Sequence, residues 1–305
     1  MSTLTPTVEH TTVPSADPRR PNPLVASTRA ELLRLRKWPA VWVTVGAWLS
    51  LNAMFAYLFN YITYTSGGSN FSTEGESRAD LLAAMLPSGL ADTLPQGMPM
   101  FGGAIMMVLG AIIAGNGYGW GTWKTVFTQG PSRTSTVAGS LSATTLLVAG
   151  VALATLVADY LMALAVAIAQ SQPTTLPPAG DLAQAVGAAF LVLEMWALVG
   201  FFLGIVARGP ALSVGLGLVW TLVIENLLRG VGGSLDWVEA FTRVLPGTAA
   251  GSFVGQLVGV EPRAQDATPG LLTILSVDRA LITVCAYVVL MPLLSWWLVR
   301  RRDVA

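Results

Sequence analysis

The chain has 305 residues, of which 53% are hydrophobic and 11% charged, and its 17 basic and 17 acidic side chains give no net charge. Globular proteins carry about 25% charged residues, and the mean hydropathy here is +0.62, with the apolar residues in long blocks. This pattern excludes an ordinary soluble domain and predicts an integral membrane protein. The absence of net charge also excludes a basic field for nucleic acid, so we expect no nucleic-acid partner.

The residue types that carry most enzyme and metal chemistry are nearly absent. The one histidine, His10, stands in a polar segment, and the one cysteine, Cys285, stands in an apolar run. These two residues allow no histidine-dependent catalytic triad, no histidine metal site and no intrachain disulfide. We therefore expect no catalytic residues, no metal and no cofactor.

Two segments precede the first apolar run. Residues 1–22 are rich in Thr, Pro and Ser, which predicts a disordered cytoplasmic tail. Residues 23–38 predict an amphipathic helix in the inner membrane interface, because Leu32, Leu35 and Trp38 share one face and basic residues occupy the other. Residues 28–31 match a capping box. The alternative is a simple basic flank that orients the first span.

Residues 39–305 predict an all-α membrane domain with six spans. The apolar runs are long enough to cross a bilayer at about 41–61, 99–114, 137–169, 182–206, 211–228 and 279–299. Two longer polar segments, 63–99 and 229–278, are predicted to be external and to contain short helices. With both termini in the cytoplasm, twelve of the seventeen basic residues lie inside. The positive-inside rule therefore predicts a multi-pass protein with both termini cytoplasmic.

Small residues recur at helical spacing in several spans. Gly200 and Gly204 are four residues apart, as are Gly110 and Ala114. Such pairs permit close helix approach in lipid, where association depends on packing. We expect contacts within one chain rather than between chains, because six spans offer many internal neighbours.

Three acids lie within or near the apolar runs, where an ionisable group is costly and marks a candidate functional site. Asp159 and Glu225 stand towards the external ends of their spans, so headgroup-level solvation and a functional role are both open. Glu194 is nearer mid-span and is the better candidate for a translocation path or a buried hydrogen-bond partner. No basic residue is predicted inside the membrane to pair with them.

A polar, Gly-rich segment at 115–136 separates the second and third spans and is predicted to be a cytoplasmic loop, since it carries Lys124 and Arg133. Within it, a short helix is predicted at residues 122–129, ended by proline. Residues 117–125 superficially suggest a phosphate-binding loop, but Trp123 occupies the place where that motif needs glycine. The sequence thus contains no nucleotide-binding motif of this kind.

The same segment shows, in order, Gly121-Thr122, Lys124-Thr125 and Pro131-Ser132-Arg133. This order, with the topology around it, resembles the membrane subunit of an ABC transporter of the type-2 exporter permease family. The resemblance extends over essentially the whole chain, and the composition is most similar to actinobacterial members. One departure is the lack of an acidic residue in 116–120, before the Gly-Thr pair, where the family often has a glutamate.

The resemblance implies a permease subunit in the cell membrane that works with separate cytoplasmic ABC ATPase subunits, a second permease copy or paralogue, and membrane lipids. The implied ATPase-coupling residues are Gly121, Thr122, Lys124, Thr125, Pro131, Ser132 and Arg133. The cargo is expected to be hydrophobic or amphipathic, such as a drug, a peptide antibiotic or a lipid-like molecule. One alternative is an ion- or proton-coupled transporter that uses Glu194 and Asp159, with Glu225 a further candidate for the path. Another is a membrane anchor or sensor without transport activity.

Overall fold

The structure is a computed structural model that describes residues 22–67, 77–129, 131–232, 235–260 and 270–302. The described residues are 86% helical and contain no strand, which confirms the all-α prediction. Most of the predicted tail at 1–22 lies outside them. Parts of the two predicted external segments, at 68–76, 233–234 and 261–269, also lie outside.

Among the described residues, six helices are long and apolar enough to cross a membrane, as predicted. They are α2 (Pro39–Ser66), α5 (Met98–Gly119), α7 (Arg133–Ala169), α8 (Ala179–Ala207), α9 (Pro210–Gly232) and α12 (Val277–Arg301). Three of them contain a π-helical stretch, namely Met54–Leu58, Met98–Gly102 and Val219–Ile224.

Six shorter helices connect or flank these spans within the described residues. They are α1 (Pro23–Lys37), α3 (Arg78–Met85), α4 (Leu90–Gln96), α6 (Thr122–Gln129), α10 (Asp236–Thr242) and α11 (Pro246–Leu257). The short helices predicted in the two polar segments and between spans two and three are thus confirmed. A 3-10 turn at Pro87–Gly89 joins α3 to α4.

Two local predictions are wrong. The capping box at 28–31 does not begin a helix, because α1 already starts at Pro23, where the Asn22 side chain accepts from the N–H of Leu24 at 3.0 Å. The predicted loop 115–136 is shorter than expected, because α5 continues to Gly119. Residues 115–117 are buried, and Gly115 lies against the backbone of Pro210 at the start of α9. This packing outweighs the low helix propensity of glycine.

The centre of the bundle is the close pair formed by α5 and α8. Gly110 lies against the carbonyl of Ala197, and Gly200 lies against the carbonyl of Met107. No side chain fits at either glycine without moving backbone, which is how small residues bring two helices together in lipid. The expectation of packing within the chain is therefore confirmed for these positions. Trp196 is fully buried, and its Nε1 donates to the carbonyl of Pro99 at 3.1 Å. This bond joins α8 to the start of α5.

The two ends of the bundle differ. At one end, here called the bridge end, lie α1, α6, the turn between α8 and α9, and the end of α12. At the other, the far end, α3, α4, α10 and α11 gather over the spans. There the N–H of Leu272 donates to the carbonyl of Gly251 at 3.1 Å, and Tyr287 Oη donates to the carbonyl of Val244 at 3.0 Å.

The predicted apolar face of α1 packs on the bundle. Leu35 is buried, while Leu32 and Trp38 are half-buried against the same core. Gly139 of α7 lies directly beneath the backbone of Thr28, so α1 runs close across the start of α7. The amphipathic pattern is thus used largely within the protein.

Candidate functional site

One face of α6 is exposed. Gly121, Lys124, Thr125 and Thr128 are all exposed, and their spacing of three and four residues places them on one side of a helix. We call these four residues the exposed face of α6. The first three were predicted as coupling residues, whereas Thr128 was not. Thr128 stands four residues after Lys124 and three after Thr125, and this helical spacing identifies it from the sequence.

The opposite side of α6 is anchored to α5. Trp123 is only 6% exposed, its Nε1 donates to the carbonyl of Ala114 at 3.3 Å, and Gly117 leaves room for the indole. The Phe127 ring lies beside that indole, with 5.3 Å between the centroids. Trp123 thus fixes this side of α6 to α5, and the Phe127 ring packs beside it.

The turn between α5 and α6 explains the Gly121-Thr122 pair. Gly121 has φ +65°, a left-handed conformation that glycine adopts without steric cost. Its N–H donates to the carbonyl of Tyr118 at 3.0 Å, and its carbonyl accepts from the N–H of Thr125 at 3.1 Å, which starts α6. Thr122 is half-buried beside Trp123 rather than on the exposed face.

The Pro131-Ser132-Arg133 sequence has a structural role at the start of α7. Ser132 Oγ accepts from the N–H of Ser135 at 3.1 Å and caps the helix. Arg133 Nη1 donates to the carbonyls of Val299 and Arg302, at 3.2 and 2.8 Å. A cation at these carbonyls also suits the negative end of the α12 dipole. Pro131 and Ser132 are exposed at this cap, whereas Arg133 is half-buried.

A polar cluster ties α1 to the same region. Glu31 pairs with Arg34 and accepts from Ser140 Oγ of α7 at 3.1 Å. Arg34 Nη2 also donates to the carbonyl of Ile113 of α5, at 3.2 Å. These bonds join α1, α5 and α7 at the bridge end, beside α6.

Glu225, one of the three predicted acids, is fully buried and well paired. It accepts from Trp220 Nε1 at 3.0 Å and forms an ion pair with Arg229 at 3.4 Å. Gly247, at the start of α11, lies against its carboxylate. Headgroup-level solvation is therefore wrong for Glu225, and so is the expectation that no basic residue pairs with the acids. The span extends past 228, which brings Arg229 into α9.

Asp159 is buried between α7 and α2, with 1% exposure, so headgroup-level solvation is wrong here too. Its Oδ1 accepts from Asn52 Nδ2 at 2.5 Å, whereas its Oδ2 has no partner among the described residues. One turn earlier in each helix, Trp48 Nε1 donates to Thr155 Oγ1 at 2.9 Å. The Tyr57 hydroxyl, in the π-helical stretch of α2, is also buried without a partner in the described part of the chain.

Glu194 is 3% exposed near the middle of α8. Its Oε1 accepts from Thr145 Oγ1 of α7 at 2.6 Å, and its Oε2 has no partner within the described ranges. Thr145 and Asp159 are both on α7, and their separation of fourteen residues corresponds to about 21 Å along the helix. The structure therefore does not bring Glu194 and Asp159 together.

Comparison with known protein families and with curated proteins finds no match for this chain.

Proposed function

We propose that this chain is the membrane subunit of an ATP-driven ABC exporter, and that the exposed face of α6 docks on a separate cytoplasmic ATPase. The observation that carries the proposal is the construction of α6. It presents one open face at an end of the bundle, while Trp123 fixes its other face to α5. A helix that lies between two spans and is fixed to one of them is suited to receive a mechanical input. The resemblance noted in the sequence concerns the same segment.

The charge distribution supports a cytoplasmic bridge end in the cell membrane. Ten of the fourteen basic residues in the described part of the chain lie at this end, and Glu31 is the one described acid there. Cytoplasmic segments of membrane proteins carry an excess of Lys and Arg, so this distribution supports a bridge end on the cytoplasmic side. Both termini then lie in the cytoplasm.

Contacts around α6 define a route for the input. Movement of α6 is passed to α5 through Trp123, and from α5 to α8 through the close glycine contacts. Arg133 links the start of α7 to the end of α12. Binding of ATP to the partner shifts the bundle between two arrangements only if the partner's two states hold α6 differently.

Two spans present exposed apolar surface for contact with the second permease copy or paralogue. Both α9 and α12 bury little of their length within the chain, and both present large apolar side chains such as Leu222, Val223 and Leu293. Lipid and a second permease share these surfaces in the proposed assembly. An apolar perimeter also agrees with a hydrophobic or amphipathic cargo.

The proposal is tested by co-purification from membranes of the native host, with mass spectrometry of the bound proteins. We expect an ATPase carrying a Walker A sequence to accompany the wild-type chain. The double variant Lys124→Glu/Thr125→Glu should lose it, because both positions are exposed and the change reverses the charge of the docking face. The control Lys37→Glu alters an exposed basic residue on α1 and should retain it. Equal recovery with all three proteins would contradict docking through α6.

One observation favours the alternative of an ion- or proton-coupled transporter. Asp159 and Glu194 are both buried in spans, and each has an oxygen without a partner in the described residues. If this alternative holds, Asp159→Asn and Glu194→Gln each abolish transport driven by a proton gradient in vesicles that contain no ATP. Unchanged gradient-driven transport in both variants excludes it.

A further inference from the structure

A cleft of about 330 Å³ opens between α7, α8 and α12. It lies near the middle of these helices, since Glu194 is the sixteenth of the 29 residues of α8. Most of its wall is apolar, and the residues used below are Leu141, Ser142, Thr145, Glu194, Val288 and Pro292. Leu141, Val288 and Pro292 are only partly buried, so the cleft is accessible from the perimeter of the bundle.

The wall of this cleft contains a carboxylate that the protein does not neutralise. Thr145 satisfies Oε1 of Glu194, and Oε2 is left without a partner among the described residues. Helix α8 contains no basic residue, and the basic residues of α7 and α12 lie near their ends. The nearest in sequence are Arg133, eight residues from Leu141, and Arg300, eight residues from Pro292. Eight residues correspond to about 12 Å along a helix. Glu225 differs, because Arg229 pairs with it one turn away.

A second acceptor belongs to a residue that lines the cleft. Pro292 lies inside α12 and has no N–H, so the carbonyl of Val288 lacks its ordinary helical donor. Both residues line the cleft. The site thus combines apolar walls with two groups that attract positive charge, a buried carboxylate oxygen and a freed carbonyl. Binding pockets for small molecules typically show such a mostly apolar lining with a few convergent polar groups.

We propose that this cleft binds a lipophilic monocation, with the cationic centre at Glu194 and the apolar groups against Leu141 and its neighbours. A cation supplies the missing counter-charge, whereas a neutral apolar compound leaves the buried carboxylate unpaired and an anion is repelled by it. As the site of a transported compound, the cleft rests on the proposed export function. Its binding step does not need the ATPase.

The test measures binding of tetraphenylphosphonium to the full chain in lipid nanodiscs, with tetraphenylborate as a probe of the same shape and opposite charge. We expect saturable binding of the cation, no saturable binding of the anion, and at least tenfold weaker cation binding to Glu194→Gln. The control Asp159→Asn removes another buried carboxylate, which is not among the residues that line this cleft, and it should bind like the wild type. Ser142→Trp, which fills the cleft and keeps the carboxylate, should also abolish binding if Glu194→Gln proves unstable.

The proposal is overturned if the wild type shows no saturable cation binding, if the anion binds equally well, or if Glu194→Gln binds as the wild type does. Equal losses in Asp159→Asn and Glu194→Gln overturn the location. Co-purification of the ATPase with the same variants separates the two proposals. A retained ATPase without cation binding refutes the cation site alone, and cation binding without any ATPase partner refutes the export function alone.

Discussion

Residues of the same type have different roles at the bridge end. Lys124 and Arg133 look equivalent in the sequence, since both are basic residues in one polar segment. In the structure Lys124 lies on the exposed face of α6, whereas the Arg133 guanidinium is bonded to the last carbonyls of α12. The first is therefore available to a partner, and the second stabilises the fold.

We expect Arg133→Glu to lower the free energy of unfolding by about 1–3 kcal/mol, because two carbonyls lose a charged donor and face a carboxylate instead. Thermal unfolding in detergent measures this change. Lys124→Glu is the matched control and should leave the melting temperature within the error of the wild type. A larger loss of stability in Lys124→Glu than in Arg133→Glu would reverse the assignment.

The contact between Asn52 and Asp159 gives a second prediction at this scale. Asn52→Ala leaves both oxygens of a buried carboxylate without a donor, so we expect a loss of about 1–3 kcal/mol. Asn60→Ala is the control on the same helix, since Asn60 donates only to the carbonyl of Ala56 in its own turn. Thermal unfolding of the two variants in the same detergent compares them. Similar melting temperatures would argue against a stabilising role for the Asn52 contact.

Helices pack most closely where small residues meet backbone. The glycine spacing in the sequence was sufficient to predict close approach, but not which helices meet. The structure assigns Gly110 and Gly200 to one contact between α5 and α8, whereas Gly215 has open space around it. A glycine thus has a packing role in one span and none of this kind at a position in another.

We expect Gly200→Ala to destabilise the protein by about 1–3 kcal/mol, because a methyl group there overlaps the carbonyl of Met107 and forces α5 and α8 apart. Gly187→Ala is the control in the same helix. Gly187 has no atom near its Cβ position, so alanine should be neutral or stabilising by up to about 1 kcal/mol. A scan of melting temperatures that ranks the two variants in the opposite order contradicts this helix contact.

Elements were predicted well where one strong physical requirement governs them. Long apolar runs specified all six spans, because a bilayer demands both length and apolar composition. Ends of helices were predicted less well. The extension of α5 to Gly119 depends on contact with Pro210, which is distant in sequence, and the start of α1 depends on the Asn22 cap. Local patterns carry no information on such tertiary contacts.

The candidate site was also predicted only where local sequence patterns determine it. The resemblance implied that Lys124 and Thr125 are coupling residues, and both are exposed in the structure. The anchoring role of Trp123 was missed, since the residue was noted only for its position in a glycine-rich segment. The pairing of Glu225 with Arg229 and the cleft beside Glu194 were also missed. Each requires knowing which helices are neighbours, and spacing along one chain does not give that.

At the scale of the whole molecule, the basic residues predict an orientation that labelling can measure. After Cys285→Ser removes the one cysteine, single cysteines are placed at the exposed positions Lys124 and Arg243, at opposite ends of the bundle. In intact cells, a membrane-impermeant maleimide should label Arg243→Cys and should label Lys124→Cys only after permeabilisation. The reverse pattern would place the bridge end outside and exclude a cytoplasmic ATPase there.

The proposed function depends on contact between α6 and an ATPase, and photo-cross-linking in native membranes detects such a contact. A photoreactive amino acid is placed at Thr125, on the exposed face of α6, and in a control at Arg243, at the far end. We predict a cross-linked product at Thr125 that mass spectrometry identifies as a protein with a Walker A sequence, and no such product at Arg243. Absence of that product at Thr125, with the chain inserted and its bridge end shown to be cytoplasmic, would contradict the account.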